Sequence, residues 1–159
     1  MIDGTRQYVT FELDRGLYGF DIQAVKEVNP STQVTFVPRS PQHIRGLINI
    51  RGQVVLVVDI AVLLGRGPRP ITSLSQVVIL KTAQEIRRVR SLAKDLTPAR
   101  FPDKPVGFLV DRIGDVLTVE EGGLLATPPH LNDCETKYVQ GVVQLPDRLL
   151  VVLNAVEML

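Results

Sequence analysis

Residues 44–64 read IRGLINIRGQVVLVVDIAVLL, and the rest of the chain is read outward from them. A short apolar run over 46–50 meets the corner Arg51-Gly52-Gln53, and a nearly unbroken β-branched run follows over 54–58. Such a run fits a strand buried on both faces. Gly52 can take the positive φ that a tight hairpin corner requires. Asp59 stands where the strand gives way to a helical turn, and its carboxylate can accept from the free backbone N–H groups there.

The pattern returns without a gap as VQGVVQLPDRLLVVLNAVEML over 139–159. Gly46 matches Gly141, and the corner matches Pro146-Asp147-Arg148. The run 54–58 matches 149–153, and Asp59 matches Asn154, another N-cap residue. Residues 19–28 match 107–116, and 7–11 resemble 76–80. Three matched blocks in one order predict two copies of a small β unit. Short strands broken by Gly/Pro turns predict small barrels. The segment GRGPRP at 65–70 links the copies. Smaller elements are expected too: a short strand over 34–37 and a terminal helical turn over 154–159.

The copies differ in one place. The first joins its opening strands by a turn at 14–16, and the second inserts about twenty residues there, long for a structureless loop. Ile86, Val89, Leu92, Ala93 and Leu96 recur at helical spacing, which predicts a helix over 83–96. Arg87, Arg88, Arg90 and Lys94 decorate it, either as a solvated face or as a docking surface for an acidic partner. Three prolines predict an extended return over 97–105.

With 159 residues, 45% of them hydrophobic, the chain is one ordinary domain or two small barrels sharing a core. A net charge of +1 supplies no global field toward nucleic acid or anionic membrane. The single cysteine, Cys134, excludes an intrachain disulfide and suits the cytosol. No apolar leader and no run of about 20 apolar residues is present. The sequence holds no nucleophile elbow, phosphate loop or His-Glu-x-x-His. His43 and His130 lie in Pro-bounded loops without an identifiable base or nucleophile partner. Asp133 and Glu135 flank Cys134 and would raise its pKa. Asp21, Asp111 and Asp115 read as turn residues, and Asp59 and Asn154 as helix caps. Glu27 and Arg51 form the pair of interest: an exposed surface ion pair, worth about 0–1 kcal/mol, or a binding position.

These residues resemble the CheW family, the adaptor of bacterial chemotaxis arrays. The strongest match is Ile44-Arg45-Gly46-Leu47-Ile48-Asn49-Ile50-Arg51-Gly52, followed by the apolar strand and Asp59. Tyr18-Gly19-Phe20-Asp21-Ile22, Val25-Lys26-Glu27-Val28, Val106-Gly107-Phe108, and Tyr138 with Gly141 support it. Ile50 stands where the family usually has Leu, and residues 83–105 replace a short turn. The resemblance implies an all-β fold of two intertwined five-stranded SH3-like barrels with short helices, here with the inserted helix. It implies a single domain over 6–159. One barrel would hold 15–70 with 148–159, the other 6–13 with 74–147: the first strand crosses to the second barrel and the C-terminal segment returns to the first.

The implied function is non-catalytic: coupling chemoreceptor signalling tips to the regulatory domain of the histidine kinase CheA, in the cytoplasm and beside membrane-anchored arrays. No cofactor or metal is implied. Positions matching the family's receptor-binding set are Val25, Glu27, Gly46, Arg51, Val77, Gly107, Ile113 and Val116. A groove between the barrels would collect them and could receive an apolar helix tip. Gly46 and Gly107 would let that partner approach closely. The insertion enters just before Gly107, where it could shield or extend the groove and select among receptor or kinase partners. Kinase-contacting residues do not transfer. The competing reading is an OB-like single-strand nucleic-acid binder, against which stand the near-neutral charge and few aromatics. An enzyme would need a catalytic set that the sequence lacks.

Overall fold

A computed structural model describes residues 4–30, 33–89, 92, 96–126 and 137–159. The readings made for His130, Cys134, Arg90 and Lys94 fall outside the described residues. The first copy supplies β1 (Thr5–Leu13), β2 (Gly16–Asp21), β3 (Val25–Pro30), β4 (Ile44–Ile50) and β5 (Gln53–Asp59). The second supplies β6 (Gln76–Leu80), β7 (Val106–Val110), β8 (Arg112–Glu120), β9 (Val139–Gln144) and β10 (Leu149–Leu153). Each copy closes on a short helical turn, α1 (Ile60–Leu63) in the first and a 3-10 turn (Ala155–Met158) in the second. A further 3-10 turn, Ile22–Ala24, separates β2 from β3.

The ten strands form two five-stranded sheets, ordered β8-β1-β2-β10-β9 and β3-β6-β7-β5-β4. Exchanging every strand for its counterpart in the other copy turns one order into the other. The sheets therefore obey the internal repeat, yet neither is built from one copy. Relative to the barrel bounds given above, the chain divides at β3 and β8. Each leaves its own first two strands and pairs with the first strand of the other copy, β3 with β6 and β8 with β1. Parallel pairing of β5 with β7 and of β10 with β2 completes the exchange.

Strand alternation sorts the side chains into three layers. Phe11, Tyr18, Phe20, Val58, Val78, Phe108 and Val110 fill the core between the sheets. On its other face the second sheet buries Ile48, Val55, Val57, Val77, Ile79 and Leu109. The first sheet buries Tyr8, Val119, Val143, Leu150 and Val152 in the same way. A sheet that buries apolar residues on its outer face must be rolled over them or covered there. The segment after β3 crosses to β4, where Thr35 bridges Leu47, and the segment after β8 crosses to β9, where Leu125 bridges Val142. These bridges occupy matching places in the two copies. The strand expected over 34–37 is reduced to that one bridge at Thr35.

The insertion begins with α2 (Ala83–Arg87), started by a Thr82/Glu85 capping box. It is shorter than the helix expected over 83–96: Val89, Leu92 and Leu96 lie outside it. Leu92 and Leu96 still pack with Ile86 and Phe101 against Ala24 and Val156. The apolar spacing marked a buried side, and Leu92 and Leu96 reach it from outside the helix. The expected extended return contains a 3-10 turn, Pro98–Arg100, led by proline, whose fixed φ suits a helix start.

Candidate functional site

The β4–β5 corner is a two-residue loop, closed by pairing of Ile50 with Gln53. Arg51 (φ 51°) and Gly52 (φ 83°) are both left-handed, the combination a type I′ hairpin requires. Asn49 steadies it, its Oδ1 accepting from the Gly52 N–H at 2.9 Å. A left-handed φ costs a non-glycine residue roughly 1–2 kcal/mol, and Arg51 adopts it with a side chain 68% exposed. The matching corner of the second copy also holds two residues, Pro146 and Asp147, spanned by the Leu145 N–H donating to the Arg148 carbonyl at 2.9 Å.

The Arg51 guanidinium pairs with the Glu27 carboxylate. Glu27 lies on β3 and Arg51 follows β4, and these are opposite edges of one five-stranded sheet. In a flat sheet the edges would stand about 19 Å apart, four strand spacings of about 4.8 Å. A side-chain contact between them requires the sheet to be rolled, so the pair closes the roll. A cleft of about 300 Å³ opens beside it, lined by Asn29, Pro30, Gln33, Ile48, Asn49, Ile50 and Arg51. The Arg51 hydrogen bond, helped by one from Asn29, holds the Glu27 carboxyl below its ordinary value against partial burial.

Two β-bulges shape β3 and β8, the strands that carry the expected Val25, Glu27, Ile113 and Val116. Val25 pairs with Leu80 and Glu27 with Ile79, so Lys26 is an extra residue. Ile113 pairs with Phe11 and Val116 with Val9, so Gly114 and Asp115 together face Thr10. Three-residue spacing on a regular strand would send the two side chains to opposite faces. The bulges instead turn Val25 and Val28, and likewise Ile113 and Val116, toward the central layer. Val25 is buried there, Val28 and Ile113 pack at its margin, and Val116 is 49% exposed.

The other expected residues are interior. One row across the second sheet runs Gly46, Val57, Gly107, Ile79, Glu27. Val77 is fully buried, and its Cγ1 lies 2.3 Å from where a Cβ on Gly107 would sit. At Gly46 (φ +145°) a Cβ would stand 2.1 Å from the Thr35 carbonyl oxygen. At Gly141 the Leu125 carbonyl oxygen plays the same part at 2.7 Å. The close approach expected at Gly46 and Gly107 is made by the protein's own bridge segment and side chain. Five of the eight expected residues thus lie on strands of the second sheet, Arg51 on a corner that joins two of them, and Ile113 and Val116 on the first.

Sequence reading missed how far Asp59 reaches. It caps α1 through the Ala61 N–H at 3.1 Å, is fully buried, and also accepts from Arg45 Nη1 at 3.0 Å and from the Arg69 N–H at 3.2 Å. Arg69, set between Pro68 and Pro70 in the linker, then pairs with Asp111 at 2.9 Å, and Asp111 accepts from the Asp14 N–H at 2.7 Å. The linker is pinned to both sheets. Asp21 caps the turn before β3 through the Gln23 N–H at 2.9 Å and also pairs with Arg6. Asn154 occupies the N-cap position, but its side chain makes no cap hydrogen bond. A second cleft of about 380 Å³ between the start of β1 and the ends of β2 and β8 contains none of the expected residues.

Residues 7–159 match the family described as the CheW-like domain. The chain is 30% identical over 148 residues to the chemotaxis protein CheW of Thermotoga maritima, covering 93% of this chain and 83% of that protein. It is 27% identical to the probable chemotaxis protein CheW of Rhizobium etli, covering 95% and 85%. Among solved structures it is similar to the scaffolding protein TtCheW from Thermoanaerobacter tengcongensis. There the TM-score is 0.73 and the identity 26%, over 94% of this chain and 84% of that one.

Proposed function

The chain belongs to the CheW-like domain family of chemotaxis scaffold proteins, and from that premise we infer that it is a non-catalytic adaptor joining chemoreceptor signalling tips to the regulatory domain of the histidine kinase CheA. Arg51 carries the reading. It is a strained, exposed cation held by Glu27 at the closing edge of the sheet, and backbone strain concentrates where a side chain must be presented. The guanidinium keeps donors free for a carboxylate or carbonyl of a partner. Val116 and the margin residues Ile113 and Val28 offer an apolar strip for a helix, and Val25 lies buried beneath it. Gly46, Val77 and Gly107 lie on the opposite face of the second sheet, Gly46 and Gly107 in the row that ends at Glu27. Such an adaptor works in the cytoplasm, against arrays anchored in the membrane. Among the described residues no helix is long and apolar enough to cross a membrane.

The test is a pull-down and titration of the protein with a receptor signalling-tip fragment and the kinase regulatory domain. A ternary complex is expected. Arg51→Ala should weaken the receptor leg about tenfold, the loss typical of a charged hydrogen bond, leave the kinase leg unchanged, and lower the melting temperature by no more than about 3 °C through loss of the Glu27 pair. Equal receptor affinity in Arg51→Ala would remove the site assignment.

A further inference from the structure

We propose that the insertion of the second copy is a positioning element for β3, in which Glu85 holds Lys26 at the bulge that aims Val25 and Val28 into the seam. This rests on the receptor-binding reading of the seam. Lys26 is the residue the bulge adds, standing between Val25 and Glu27. Its ammonium lies 3.0 Å from Glu85 Oε2. The two oxygens of Glu85 divide their work: Oε1 accepts from the Thr82 N–H at 3.0 Å and the Thr82 hydroxyl at 3.1 Å, leaving Oε2 for the lysine. The capping box thus fixes the carboxylate through contacts that do not involve the lysine. Burial would raise the Glu85 pKa, and the Thr82 and Lys26 contacts outweigh it, so the anion is the held form.

The insertion is itself anchored. The residue leading into it, Lys81, continues the pairing of β6 with β3 by donating its N–H to the Ala24 carbonyl at 2.9 Å. Ala24 is buried among Ala83, Ile86 and Phe101. The Ala83 N–H closes the insertion on the Pro102 carbonyl at 2.9 Å, and Arg100 pairs with Glu157 on the terminal turn. The β8 bulge is held differently, by the Thr10 hydroxyl donating to the Asp115 carbonyl. One wall of the seam is therefore set by a neighbouring strand and the other by the insertion, which reaches the receptor surface through β3.

Glu85→Gln keeps the cap and removes the charge; Lys26→Gln removes the other partner. Each should weaken binding of the receptor-tip fragment about threefold, within the range of a partly exposed ion pair. The double variant should also lose about threefold, because the residues act through one another. Affinity for the kinase regulatory domain and the melting midpoint should not move. Amide exchange at residues 25–29 should quicken in Glu85→Gln while β8 stays as it was. Unchanged receptor affinity, a ninefold loss in the double variant, or unchanged exchange in β3 would each overturn the proposal. Weakening by Arg51→Ala without weakening by Glu85→Gln would sink it alone. A wild-type protein that ignores the fragment would sink the receptor reading with it, and the exchange measurement would still say whether the insertion holds β3.

Discussion

Gly46 and Glu27 show how single residues constrain this chain. Gly46 combines a positive φ with a backbone oxygen at 2.1 Å from any added Cβ. Gly46→Ala must strain the backbone or push the bridge segment away, so it should destabilise by about 3 kcal/mol. Gly141→Ala meets its oxygen at 2.7 Å without a positive φ and should cost about 1–2 kcal/mol. Urea denaturation of both variants gives the comparison. Glu27 makes stability depend on acid. Folding lowers its pKa, so the stabilisation from the pair is complete above the ordinary value of 4.5 and fades as pH falls through the lower folded value. The stability difference between wild type and Glu27→Gln should stay constant, at no more than about 1 kcal/mol, from pH 7 to about 5. Below 4.5 it should close. A gap that persists at pH 3 would mean that the carboxylate charge is not what matters.

The helical turns that end the two copies look alike in sequence and differ in what holds them. Asp59 binds α1, Arg45 and the linker at once. Asp59→Ala leaves Arg45 without its carboxylate and the turn without its cap. It should cost about 3 kcal/mol or more. Asn154 makes no cap hydrogen bond, so Asn154→Ala should fall within about 0.5 kcal/mol of wild type. Chemical denaturation decides both, and equal losses would mean that position in the repeat matters more than the hydrogen bonds. The bulges of β3 and β8 belong to this scale as well. Each adds one residue, and that residue decides which side chains reach the seam.

At the scale of the molecule, each sheet is completed by strands of the other copy. Fragments 1–70 and 71–159 should each remain unfolded alone, with collapsed amide dispersion in NMR spectra, and regain dispersed spectra on mixing. The intact chain should melt in one transition with equal calorimetric and van't Hoff enthalpies. A folded isolated half would contradict the interlocked topology. The sequence by itself determined the duplication, the hairpin corner, the cap at Asp59 and the kinship to a scaffold family. Those properties are local, carried by apolar alternation, turn residues and spacing, and they survive when the chain is read without contacts. Only the tertiary structure decided the rest. It placed Gly46, Gly107 and Val77 inside, joined Asp59 to Asp111 through Arg69, and shortened the inserted helix. It also brought Glu27 across the sheet to Arg51. Each of these depends on how far a sheet rolls and which strands meet, and a linear pattern does not carry that, because alternation fixes the face of a side chain and not the neighbour waiting there.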